Sequence, residues 1–123
     1  MQKRKITPEE KLVDLIIEGI LRKKGKEIVK LNFSKIENAV CQYFIICHGD
    51  SRTQVTAIAE SVEDIVEETI KEKVWHKEGY DNAHWVLLDY ALVVVHVFQQ
   101  EYRDYYKLES LWADAESIEI KEN

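Results

Sequence analysis

The run Asp89-Tyr90-Ala91-Leu92-Val93-Val94-Val95-His96-Val97-Phe98 passes, almost without a connecting loop, into Glu101-Tyr102-Arg103-Asp104-Tyr105-Tyr106-Lys107-Leu108-Glu109-Ser110-Leu111-Trp112. β-Branched residues fit a pleated surface, and a short unbroken apolar run of them reads as a strand in a sheet interior. The next segment changes period. Tyr105, Leu108 and Trp112 fall on one helical stripe, so a buried strand is followed directly by an aromatic-rich helix.

Elsewhere the punctuation is local. Thr7-Pro8-Glu9-Glu10 combines a cap residue, a proline at the first helical position and an acid at the third, which opens a helix. Leu12, Leu15, Ile16 and Ile20 give it a core stripe, and Gly25 is expected to supply its stop. Residues 27–32 read as one strand and 42–48 as a second, more buried one. After the turn at Gly49-Asp50, Ser51-Arg52-Thr53-Gln54 is a second capping box. It opens a central helix whose apolar residues run from Val55 to Ile70 at helical spacing, with Glu63 and Asp64 expected on its solvated side. A polar link through residues 77–82 leads to a strand at 84–89, and Tyr90-Ala91 turns into the strand at 92–98. Helix, strand, strand, helix, strand, strand, helix is the order of an α+β domain with a small mixed β-sheet packed by helices.

At 123 residues the chain is expected to be one domain, 1–123, burying roughly two thirds of the surface its unfolded form exposes. Residues 117–123 look frayed. A net charge of −6 opposes a phosphate-tracking surface, so little direct nucleic-acid contact is expected and a basic protein partner fits. The apolar run from Ala91 to Phe98 is too short to cross a bilayer, and Met1-Gln2-Lys3-Arg4-Lys5 lacks a following signal-peptide core, so a cytoplasmic protein without membrane contact is expected. Cys41 and Cys47 lie in one strand-like run, on the same face at period two and too far apart to bridge, so both are expected reduced and buried.

The C-terminal block above, together with Gly49-x-Ser51-x-x-Gln54-Val55-x-Ala57-Ile58-Ala59 and Glu78-Gly79-x-x-x-Ala83-x-Trp85-x-Leu87-Leu88-Asp89, closely resembles the ribosomal silencing factor (RsfS, or Iojap) family. The resemblance covers nearly the whole chain. It implies a nucleotidyltransferase-like fold and a translation repressor that binds the large ribosomal subunit through ribosomal protein fourteen of that subunit, blocking association with the small subunit. It also points to Trp85, Asp89, Tyr90, His96 and Phe98, with Glu78 and Gly79 at the rim, as protein-binding positions. Family members usually carry Gly-Asp after the residue matching Tyr90. Here Ala91-Leu92 stands instead, which removes an acid and a flexible turn and leaves Leu92 as an exposed apolar contact.

Other chemistries must be weighed on the same residues. Gly49-Asp50-Ser51 at a helix mouth is either a turn with its N-cap or a phosphate cradle. A nucleotidyltransferase would also need acids there to hold metal ions. No Asp-x-Asp or Asp-x-Glu lies on a strand, so no catalytic residue, metal or cofactor is expected. His48, His76, His84, His96 and the two cysteines show no zinc-ligand spacing. His96 is either a satisfied sheet histidine or a polar anchor in a docking face. Trp85, Leu87 and Asp89 share one sheet face, either as simple packing or as a protein-binding surface, while Tyr105 and Trp112 are expected in the core. The competing readings are a divergent nucleotidyltransferase-like enzyme and a homodimerisation module, a homodimer being compatible with the free state of the silencing factor too.

Overall fold

A computed structural model describes residues 5–121. Thr7 does cap the first helix, α1 (Pro8–Arg22): its Oγ1 accepts the Glu10 N–H at 3.1 Å, satisfying one of the amides left free at a helix start. The stop differs from expectation. Lys24, not Gly25, takes the left-handed conformation (φ 59°), and Gly25 is there because a Cβ would lie 2.3 Å from Ile20 Cγ2. The central helix, α2 (Arg52–Ile70), begins at Ser51, whose Oγ accepts the Gln54 N–H at 3.1 Å.

Six strands form one mixed sheet in the order β3 (His76–Glu78), β4 (Trp85–Asp89), β5 (Val93–Gln99), β2 (Tyr43–Gly49), β1 (Lys26–Asn32), β6 (Glu116–Ile120). β2 and β5 run parallel at its centre and the other neighbours are antiparallel. Their burial on both faces explains why their sequences show no polar alternation. Ile45, Cys47, Val86, Leu88, Val95 and Val97 point to one face, beneath α1 and α2. Leu31, Phe44, Ile46, Val94 and Phe98 point to the other, covered by Phe33, Leu108, Trp112 and Ala115.

Several expectations are corrected. The tail is not frayed from 117: β6 pairs antiparallel with β1 from Ile28↔Ile120 to Asn32↔Glu116, while residues 122–123 lie outside the described residues, as does most of the N-terminal segment 1–5. Part of the supposed polar link is the exposed edge strand β3. The C-terminal helix is two short pieces, α3 (Gln100–Tyr106) and α4 (Leu108–Leu111), broken at Lys107 by a left-handed φ of 48°. The break takes Tyr105 out of phase with Leu108, leaving it 77% exposed. Cys47 is buried under the helices, whereas Cys41 precedes the strand and packs half-buried on the opposite side, so the two do not share a face. Burial pushes the Cys41 thiol up to about 11.

The β4–β5 connection is tight. Asp89 Oδ1 accepts the Ala91 N–H at 2.7 Å and the Tyr90 carbonyl accepts the Leu92 N–H at 3.0 Å, a γ-turn whose central Ala91 sits at φ 72°. This is the strained hand of the turn, costly for a residue with a Cβ. Ala91→Gly is therefore expected to raise stability by about 1 kcal/mol, read as a higher urea midpoint at unchanged slope. Leu92 stands 48% exposed beside it.

Candidate docking surface

β4 pairs with β3 on its outer side and with β5 on its inner side, matching Trp85 with Phe98, Leu87 with His96 and Asp89 with Val94. Period two places Trp85, Leu87 and Asp89 on the face away from α1 and α2, all half-buried. The Trp85 ring stacks on Phe98 at 4.9 Å between centroids and meets Tyr106 of α3 at 5.0 Å. Its Nε1–H donates to His96 Nδ1 at 3.0 Å. That acceptor role fixes the His96 tautomer with its proton on Nε2, a buried atom without a hydrogen-bond partner among the described residues. The Phe44 ring lies edge-on, 4.4 Å from the imidazole. Burial pushes the His96 pKa down to about 3, because an imidazolium there would forfeit its hydration.

The seven positions suggested by the sequence separate into two groups. Glu78 is exposed, and Gly79, Trp85 and Asp89 are half-buried on or beside β4. Tyr90, His96 and Phe98 are buried, so in this conformation they offer no contact surface. Tyr90 follows Asp89 to the opposite face and joins the core under the helices, where burial raises its hydroxyl pKa. The Asp89 carboxylate is engaged within the chain, accepting the Ala91 N–H beside the γ-turn. Glu78 contacts His76 Nε2 at 3.0 Å. Gly79 adopts φ 94°, and a Cβ there would fall 1.9 Å from the Trp85 carbonyl oxygen. Glycine at this position is thus required by the close approach of two backbones.

Tyr106 is the surface residue that sequence reasoning passed over. Its ring, 46% exposed, continues the Trp85 patch, and exposed Tyr105 stands against it at 5.1 Å between centroids. The Tyr-Tyr pair was visible in the sequence, but only the break at Lys107 decides which ring faces outward.

The helix mouth at Gly49-Asp50-Ser51 is filled by the chain itself. The Asp50 N–H donates to Gln54 Oε1 at 2.7 Å, Ser51 takes the Gln54 amide, and Asp50 Oδ2 pairs with Lys26 at 2.6 Å. These contacts occupy two of the amides at the helix mouth and put a carboxylate beside them, where it would repel a phosphate. Glu63 is half-buried rather than solvated, accepting the Tyr80 hydroxyl at 2.5 Å and Lys77 Nζ at 3.2 Å. Among the described residues no group of three or more His, Cys, Asp or Glu could hold a metal ion, and no helix is long and apolar enough to cross a membrane.

Residues 6–123 match the family described as "Ribosomal silencing factor during starvation". The chain belongs to this family. A ribosomal silencing factor RsfS of Bacillus subtilis is 46% identical over 93 residues, 76% of this chain and 77% of that relative. The RsfS of Halalkalibacterium halodurans is 40% identical over 112 residues, 91% of this chain and 94% of the other. The crystal structure of a Chromobacterium violaceum protein superposes with a TM-score of 0.80 at 37% identity, covering 89% of this chain and 88% of its own. The name of these silencing factors denotes regulation rather than catalysis. The RsfS features noted in the C-terminal half fall on neighbouring elements: Val-His-Val-Phe lies at the end of β5, Trp85 to Asp89 is β4, and the Tyr-Tyr pair closes α3.

Proposed function

We propose that this protein represses translation by binding the large ribosomal subunit through ribosomal protein fourteen of that subunit and sterically blocking association with the small subunit. The observation that carries the reading is the family match over residues 6–123. Steric exclusion requires no bond chemistry: two ligands compete for one surface, and a standard interface of about 800 Å² per partner is sufficient. Trp85, Leu87 and Tyr106, with Asp89 and Glu78 at the side, form the surface assigned to the contact, because aromatic rings beside a polar rim dominate protein interfaces. His96 and Phe98 support that surface from beneath. The net charge of −6 favours encounter with a basic ribosomal protein, and the protein then acts in the cytoplasm, where its target is.

Purified protein is expected to cosediment with isolated large subunits and to prevent their joining to small subunits, while already joined ribosomes resist it. Migration with neither subunit would remove the reading. Asp89→Asn keeps an acceptor for the Ala91 amide and removes only the charge. It should slow association a few-fold at low salt, and the difference should shrink as added salt screens the charge. Equal association rates at low salt would move Asp89 off the interface.

A further inference from the structure

Arg103 is only 7% exposed, yet its guanidinium carries a permanent charge and must find acceptors. Its Nε–H donates to Glu109 Oε1 at 3.2 Å, and Nη1 donates to His48 Nδ1 at 3.0 Å and to the Lys26 carbonyl at 3.4 Å. One side chain on α3 therefore grips α4, β2 and β1. Because arginine can only donate, His48 must present a lone pair at Nδ1 and stay neutral. Burial first, and then Arg103 itself, lower the His48 pKa in the direction this requires.

Apart from Arg103, the segment is held by apolar and ring contacts to the sheet side, through Tyr102, Tyr106, Leu108 and Trp112. α3 has seven residues and α4 four, too few to be stable alone. The left-handed Lys107 interrupts them. Under them, between α3–α4 and the β1–β6 pair, lies a cleft of about 660 Å³ lined by Glu27, Arg103, Lys107, Glu109 and Glu119 among others. Dense packing does not fill that side. Tyr106 follows Arg103 by three residues, so both project from the same side of α3, and Tyr106 meets Trp85 at 5.0 Å.

We propose that Arg103 is a positioning residue of the docking surface: its buried guanidinium seats α3 and α4 on the sheet so that Tyr106 is held against Trp85. The link to binding rests on the docking surface proposed above, whereas the seating itself does not. Arg103→Gln removes the charge and the fork of donors. Amide hydrogen exchange in the full chain should then speed up at least about tenfold across residues 103–115, while α1, α2, β2 and β5 change by less than about twofold. Affinity for isolated large subunits should fall by about tenfold or more, because binding must first order the loosened segment. If Arg103→Gln does not fold, Glu109→Gln, which removes a half-exposed partner, should show the same regional pattern at smaller amplitude.

Uniformly faster exchange over the whole domain would reduce Arg103 to general stability and overturn the proposal. Unchanged exchange at 103–115 would overturn it too, as would a loosened segment with undiminished affinity. If the wild-type protein binds no large subunits, the docking reading fails by itself, and the exchange pattern still decides whether Arg103 seats the helices.

Discussion

Trp85→Ala is expected to destabilise the fold by about 3 kcal/mol or more, and to weaken subunit binding beyond what unfolding explains. The ring stacks on Phe98 and meets Tyr106, so truncation opens a cavity between β5 and α3. It also removes the donor from His96 Nδ1, leaving an imidazole with neither nitrogen paired in a dry site. Trp85→Phe separates these effects. Phenylalanine retains much of the ring burial and loses the N–H, so about 1–2 kcal/mol is expected, the cost of one buried acceptor left without its partner. Urea denaturation and large-subunit affinity measured on both variants decide the role. A Trp85→Ala protein that melts like wild type but no longer binds would make the ring a pure contact residue. Stability lost with affinity intact among the folded molecules would make it pure core.

Acidification should unfold this protein earlier than its carboxylates alone require. The His96 pKa is pushed from the ordinary 6.5 to about 3 in the folded chain. Between those values the unfolded chain binds a proton that the folded chain refuses, so folding stability is complete above about pH 6.5 and falls as the pH drops toward 3. Well below 6.5, the loss from His96 is about 1.4 kcal/mol per pH unit, which between pH 6.5 and 4.5 amounts to about 2–3 kcal/mol. His48 works in the same direction, its pKa lowered by burial and by Arg103. His96→Gln cannot titrate and still offers an oxygen to the Trp85 N–H. Its denaturation midpoint should depend less steeply on pH over this window, by close to one proton. Parallel curves for the variant and wild type would show that His96 accepts its proton in the folded state at an ordinary pH.

The candidate site was legible only in part. Alternation along a strand is a local property of the backbone, and it already puts Trp85, Leu87 and Asp89 on one face. The γ-turn from Tyr90 to Leu92, beside which Asp89 accepts the Ala91 amide, was not visible, since Ala91 gives no sign of a positive φ. Tyr90, His96 and Phe98 stood out in the family motif, but a motif records which residues a fold needs without saying whether they support the surface or form it. Their burial depends on what covers the sheet's second face. Arg103 was one residue of that same motif. Its importance comes from acceptors 55 and 77 residues away in the chain, His48 and Lys26, and no spacing rule reaches that far.

The sequence by itself determined α1 and α2, the central strands β2 and β5, the α+β class, the acidic character and the family. Each of these follows from local signals: a capping side chain three residues from the amide it accepts, a 3.6-residue stripe, an unbroken β-branched run, or a motif carried whole. Only the tertiary structure decided the edge strands β3 and β6, the break at Lys107, the faces taken by the two cysteines and the seat of α3 on the sheet. Edge strands are held by backbone hydrogen bonds to a neighbour distant in sequence, and they can be built from exposed residues such as His76-Lys77-Glu78 that carry no apolar period. The short C-terminal helices lack the length to be stable alone, so their boundaries and outward faces are set by the aromatic rings of the sheet below and by one buried arginine.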